Sequence, residues 1–358
     1  MNNDLALSRR RFGLWGLSAF ALAGCEAGGF ATPSQRGAGD AALLLPMTGA
    51  NAAIGAAMGK AADLAGLGRA PEAMPRRYDT ADTAEGAAAA AQAALDGGAR
   101  MLMGPLRSDQ TPAVLAVAGS VPVVTFSNDD RLTGTYVFGV TAAQSVAAMF
   151  SYAVAQGYSR VAVVGAPGPL GAATGDAAVR IAAAGGLNLS AVVLRDPAAP
   201  GLVQAVREAS GGVLPQAVFL PDGGTALAGF AQGLRGSSMR VLGSVQWGIG
   251  DALGNPGLEG AAFAAPSPDL FQPFSDRYLA AYGAEPGIVA ALGHDAVLMV
   301  LGLGDAGALN ARGLQRKAGF TGVLGGFQFD ASGRCHRDLA VLGIEDGKVV
   351  IRAEVAGT

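Results

Sequence analysis

The sequence predicts an α/β fold of two doubly wound, Rossmann-like lobes joined by about three hinge crossings. Three observations carry this. From residue 41 onward, short apolar runs alternate with long alanine-rich amphipathic segments, the pattern of βαβ units and a parallel sheet. The 358 residues exceed what one hydrophobic core usually organises. A Gly- and Pro-rich stretch at 248–268 interrupts the alternation, and a helical block follows it, as expected of a chain returning to its first lobe.

The elements follow in order. A strand at 41–46 leads into a helix at 51–67, and 76–78 leads into a helix at 83–95. Residues 101–103 lead into a helix at 109–118, and 122–126 closes the first set of strands. The second series opens with a helix at 143–156, a strand at 160–164, a helix at 170–184 and a strand at 189–194. A helix at 202–209, a strand at 217–220, a helix at 225–234 and a strand at 241–244 complete it. After the irregular 248–268 come helices at 270–282, 287–303 and 309–318. Strands at 339–344 and 349–355 form a hairpin around Glu345-Asp346-Gly347. Loops at the carboxyl ends of both sheets would then face a cleft between the lobes, where helix N-termini offer unpaired N–H groups.

The N-terminus carries an export signal. Ser8-Arg9-Arg10-Arg11-Phe12 precedes an apolar run, Gly13 to Gly24, that is too short for a bilayer core of about 30 Å. It ends in Leu22-Ala23-Gly24-Cys25, which resembles the lipobox of bacterial lipoproteins, with Cys25 as the lipidation site. Residues 1–24 are then a signal peptide and 25–39, which lack periodicity, a lipidated tether. The arginines fit twin-arginine or general secretory export. Glu26 after the cysteine permits an outer-membrane destination, so the expected location is the periplasm, lipid-anchored.

Composition narrows the class. Net charge is −3 and becomes −5 once the three arginines and Asp4 of the signal are removed, so no nucleic-acid partner is expected. Apolar residues make up 51% against 15% charged, yet beyond residue 24 no apolar stretch is read as membrane-spanning, so the apolar content belongs to a core. With Cys25 lipidated, Cys335 has no intramolecular partner, and the fold rests on packing rather than disulfides.

Nothing in the sequence reads as an enzyme. The only histidines are His294 and His336, which limits metal sites and acid–base pairs. His336 follows Cys335 directly, and neighbours on a strand point to opposite faces. Gly302-Leu303-Gly304-Asp305-Ala306-Gly307 fits G-x-G-x-x-G but ends a helix instead of following a strand. Gly55-x-x-x-Gly59-Lys60 is one residue short of a P-loop. No cofactor and no metal are expected.

Ala42-Leu43-Leu44-Leu45-Pro46-Met47-Thr48-Gly49 with Ile54-Gly55, then Gly104-Pro105-Leu106 and Val121 to Ser127, resemble the type I periplasmic solute-binding proteins of the leucine/isoleucine/valine-binding family. So do Phe274 with Tyr278 and Tyr282-Gly283, His294-Asp295-Ala296-Val297, and Gly322-x-x-Gly325-x-x-Gln328-Phe329-Asp330-x-x-Gly333. Leu242-Gly243-Ser244-Val245-Gln246-Trp247 and Gly260-Ala261-Ala262-Phe263-Ala264-Ala265-Pro266 look like the lipoprotein branch that activates penicillin-binding proteins. The resemblance implies an N-terminal lobe of 40–139 plus 265–325 and a C-terminal lobe of 140–264 plus 326–358.

It also implies a small polar solute in the cleft, amino-acid-like or other, and an ABC permease as partner. The alternative it implies is a regulator that contacts a peptidoglycan synthase. The ligand-binding candidates are Thr48, Gly49, Arg107, Ser108, Thr125, Phe126, Ser127 and Asn128 from the first lobe, and Leu170, Asp222, Gln246 and Trp247 from the second. Hydroxyls and helix-start N–H groups suit a carboxylate. Ser108, Ser127 and Asn128 serve equally as cap and turn residues. In the second lobe the family's acidic and aromatic contacts are largely missing: Asp222 is the one well-placed anion and Trp247 the one large aromatic. An ammonium without a counter-ion binds poorly, which favours another solute or a protein-contact role.

Overall fold

The computed structural model describes residues 40–358. The signal peptide, the tether and Cys25 lie outside the described residues. The chain opens with β1 (Ala41–Leu45), α1 (Ala52–Ala65), β2 (Arg76–Asp79), α2 (Ala84–Asp96), β3 (Met101–Met103), α3 (Thr111–Ala118), β4 (Val123–Thr125) and β5 (Tyr136–Val137). A second series runs α4 (Ala142–Ala155), β6 (Arg160–Gly165), α5 (Pro169–Gly185), β7 (Asn188–Leu194), α6 (Leu202–Ala209), β8 (Ala217–Leu220), α7 (Gly224–Gly233), β9 (Arg240–Gly243), α8 (Ile249–Leu253) and β10 (Ala262–Ala265). Then come α9 (Pro268–Tyr282), α10 (Ile288–Asp305), α11 (Ala311–Leu314), β11 (Phe320–Gly322), β12 (Gly325–Phe329), β13 (Cys335–Arg337), β14 (Leu339–Glu345) and β15 (Lys348–Val355).

The first sheet has the order β2-β1-β3-β4-β5, all parallel. Along β1 the side chains alternate between two cores. Leu43 and Leu45 join Met58 of α1 and Val297 of α10, whereas Ala42 and Leu44 join the alanines of α2 and Val114 of α3. The second sheet, β15-β14-β10-β9-β8-β6-β7, is parallel from β10 to β7 and antiparallel at β14 and β15. Val161, Val163 and Phe219 face the layer of α4 and α5, while Val164, Val218 and Leu220 face α6, α7 and Trp247. The sequence pattern therefore gives an α/β fold with two doubly wound lobes.

The chain passes between the sheets at 138–141, again at 266–267, and a third time around the small antiparallel sheet β11-β12-β13. Phe126, Phe138, Phe327 and Phe329 pack there in tilted and edge-on pairs with centroids 5.0–6.4 Å apart. Gly139 sits where a Cβ would lie 2.4 Å from the Ser127 carbonyl oxygen, so only glycine lets the first crossing run this close to β4's loop. The capping box of α4 fixes the direction of the chain after it: Gln144 N–H donates to Thr141 Oγ1 and Thr141 N–H to Gln144 Oε1.

Three expectations need correction. The stretch 248–268 is not wholly irregular, since it holds α8 and the central strand β10. Five buried residues between Gly260 and Pro266 are too few to show a period, and only pairing to β9 and β14 reveals four of them as a strand. The helix expected at 309–318 shrinks to one turn, α11. Beyond residue 24 one helix, α10, is long and apolar enough to cross a membrane by length and composition. It is instead a core helix, 72% buried, laid against α1 where a Cβ on Gly293 would lie 2.4 Å from the Met58 carbonyl oxygen.

Candidate ligand-binding cleft

The loops after β4, β6, β8 and β9 leave the carboxyl ends of their strands, as ligand loops do in open α/β sheets. A cavity of about 420 Å³ lies between the lobes. Leu106, Phe126, Asn128 and the start of α10 (Ile288, Val289, Leu292) line it from one side, Val245, Gln246 and Gly248 from the other, with Gly139 and Val140 of the first crossing at its floor. An adjoining hollow of about 410 Å³ is bounded by Leu106, Arg107, Ser108, Asp109, Ser127 and Asn128. Deeper, among Thr141, Ser145, Leu170, Phe219 and Ser244, only about 10 Å³ remains, room for one water at most.

Of the sequence-predicted residues, Phe126, Asn128 and Gln246 meet at the cavity, Arg107, Ser108, Ser127 and Asn128 at the hollow, and Leu170 at the deep gap. Asn128 and Gln246 are exposed, and neither side chain makes a hydrogen bond within the described protein. Ser108 begins a short 3-10 turn without capping it; the N-cap there is Arg107. Ser127 is buried, and its Oγ accepts the N–H of Asp129, a turn contact.

Other candidates are committed elsewhere. Thr125 is fully buried, with its hydroxyl donating to the Pro105 carbonyl, 3.0 Å from Thr111 Oγ1, and accepting the Ser127 N–H, so it organises the loop rather than a ligand. Thr48 donates its hydroxyl and its N–H to Asp79, and Gly49 at φ +91° packs over Asp82, which closes that loop away from the cavity. Burial works against the Asp79 charge, but hydrogen bonds from Thr48, Ala81 and Met47 together hold the carboxyl below its ordinary range. Trp247 is fully buried, stacks on Phe263 at 5.5 Å and donates Nε1–H to the Leu220 carbonyl. It is a packing residue of the second lobe and offers no face to a ligand.

Asp222 is buried, accepts the Ala166 N–H at 3.0 Å, and does not line the cavity; burial pushes its carboxyl above the ordinary range. Arg107 is exposed and paired with Asp109 at 2.6 Å. No ionisable side chain therefore lines the cavity itself. Sequence reasoning missed the walls Leu106, Val140, Val245, Ile288, Val289 and Leu292, which no local pattern distinguishes from core residues. The histidines stay outside the cleft: His294 is buried against Phe274, and His336 pairs with Asp330 on the face opposite buried Cys335.

Two α/β lobes with a cavity between their strand-end loops define a ligand-binding protein of the bilobal kind. The chain belongs to the periplasmic binding protein family, whose model matches residues 40–348. In structure it is similar to a protein of Rhodospirillum rubrum assigned to branched-chain amino acid ABC transport, at 24% identity and TM-score 0.75 over 87% of this chain and 99% of that one. It is similar also to the LpoA C-domain of Haemophilus influenzae, a regulator of PBP1A, at 19% identity and TM-score 0.70 over 87% and 99%. A leucine-binding protein of Thermotoga maritima matches at 22% identity and TM-score 0.62 over 88% and 98%. At these identities the likenesses establish the fold. No curated protein matches significantly in sequence.

Proposed function

We propose that this protein is a lipid-anchored periplasmic binding protein that holds a small polar solute between its lobes and passes it to an ABC permease without chemical change. The observation that supports this is the cavity of about 420 Å³ reached from both lobes, with Asn128 and Gln246 free to bond a ligand. The lipobox at Cys25 supplies the anchor, and hinge motion at the three crossings the capture and release.

A thermal-shift panel of amino acids, peptides, aliphatic amides, muropeptides and nucleosides tests it. A bound solute at about 100 times its Kd stabilises the native state by about 2.7 kcal/mol. Asn128→Trp fills the cavity from an exposed position and abolishes that shift while leaving the unliganded melting curve in place. A panel in which no solute moves the curve defeats the reading.

A second reading, a regulator of a peptidoglycan synthase, draws support from the burial of Trp247 and Asp222, which leaves the second lobe without the aromatic and acidic contacts for an amino acid. A complex with such a synthase that survives moderate salt in a pull-down supports it, and the loss of that complex ends it.

A further inference from the structure

Resting on the cleft as the ligand site, we infer that its ligand is uncharged, with an aliphatic body and one amide-like edge, and that Asn128 and Gln246 read that edge. The walls are apolar: Leu106, Val140, Val245, Ile288 and Leu292 give a lining that rewards aliphatic surface. No ionisable group stands among them to meet a carboxylate or an ammonium. The nearest candidates are spoken for, since Arg107 is neutralised by Asp109 and Asp222 is buried on the Ala166 N–H. A charged group moved from water into such a lining loses hydration and gains no opposite charge.

The two carboxamides are different. Each presents an N–H₂ donor and a carbonyl acceptor to the same volume, one from the loop after β4 and one from the turn after β9, and each is unbonded in the described protein. A carboxamide edge, donor beside acceptor, satisfies both without requiring charge. Because one partner comes from each lobe, the same edge couples binding to closure.

Isothermal titration of the full chain with 4-methylpentanamide, 4-methylpentanoate and L-leucine isolates the edge, because the three share one aliphatic body. The amide binds about tenfold more tightly than either charged compound, and the paired substitution Asn128→Ala with Gln246→Ala lowers the amide affinity about tenfold without moving the unliganded melting point. Equal or tighter binding of 4-methylpentanoate or leucine overturns the inference and leaves the cleft as the ligand site. Silence from all three up to about 10 mM overturns it also, and the solute panel then decides the cleft independently. Amide affinity retained in the paired variant removes the role given to Asn128 and Gln246.

Discussion

Arg337 is the one arginine or lysine among the described residues that is fully buried, and no carboxylate pairs with it. Its Nη2 donates to the Phe138 carbonyl at 3.1 Å, and its guanidinium lies 5.0 Å from the ring centres of Phe138 and Phe327. Nε and Nη1 have no partner. Arg337→Ala opens a void between two rings and costs about 3 kcal/mol. Arg337→Met fills the space and removes the unpaired polar atoms, so it costs about 1 kcal/mol or less. Urea unfolding of both variants checks this, and equal losses would count against it. Trp247→Phe leaves the Leu220 carbonyl unpaired and costs about 1–3 kcal/mol, yet leaves solute affinity unchanged because the indole does not reach the cavity. Asp222 gives a pH signature. A carboxyl raised in the native state stabilises the fold below the ordinary carboxylate range, and that contribution is lost as pH rises through its native value. Asp222→Asn keeps an acceptor for the Ala166 N–H and drops the charge. It is therefore more stable than the parent by about 1 kcal/mol at neutral pH, and the two unfolding curves converge in acid.

At the scale of elements, the crossing at 138–141 depends on the start of α4. Thr141→Ala breaks the capping box and costs about 1 kcal/mol. Gln144→Ala costs about 2 kcal/mol, because Gln144 Nε2 also donates to the Cys335 carbonyl at 2.6 Å and ties α4 to β13. Chemical denaturation ranks them, and a smaller loss for Gln144→Ala would remove that tie as a constraint on the hinge. The long elements were legible because their periods repeat: the alanine-rich helices α1, α2, α4 and α5 each hold an apolar face over three turns or more. The hairpin β14-β15 was legible from Asp346-Gly347, whose φ angles of +52° and +67° are those of a two-residue turn. The two-residue β5 and the three strands of the small hinge sheet were not, since runs of two to five residues are too short to show an alternation.

For the whole molecule, the expected behaviour is closure of two lobes on a solute, and the Asn128→Trp variant read by thermal shift is its measurement. The bilobal fold and the strand-end position of the loops followed from residue order, because alternation of apolar runs and turn residues dictates parallel sheets and which strand ends carry loops, whereas Asn128 and Gln246 entered only as two of twelve candidates that the family resemblance implied. Tertiary structure alone decided which candidates face the cavity. Trp247, Thr125 and Asp222 sit in loops of the right kind, but the packing of Phe263, the Pro105 carbonyl and the Ala166 N–H claim them. The walls from Ile288 to Leu292 come from a helix some 160 residues beyond Asn128 in the chain. A period in sequence reports which face of an element is apolar; it carries no information on which part of that face a neighbouring lobe leaves uncovered, and a ligand cavity is made of that uncovered part.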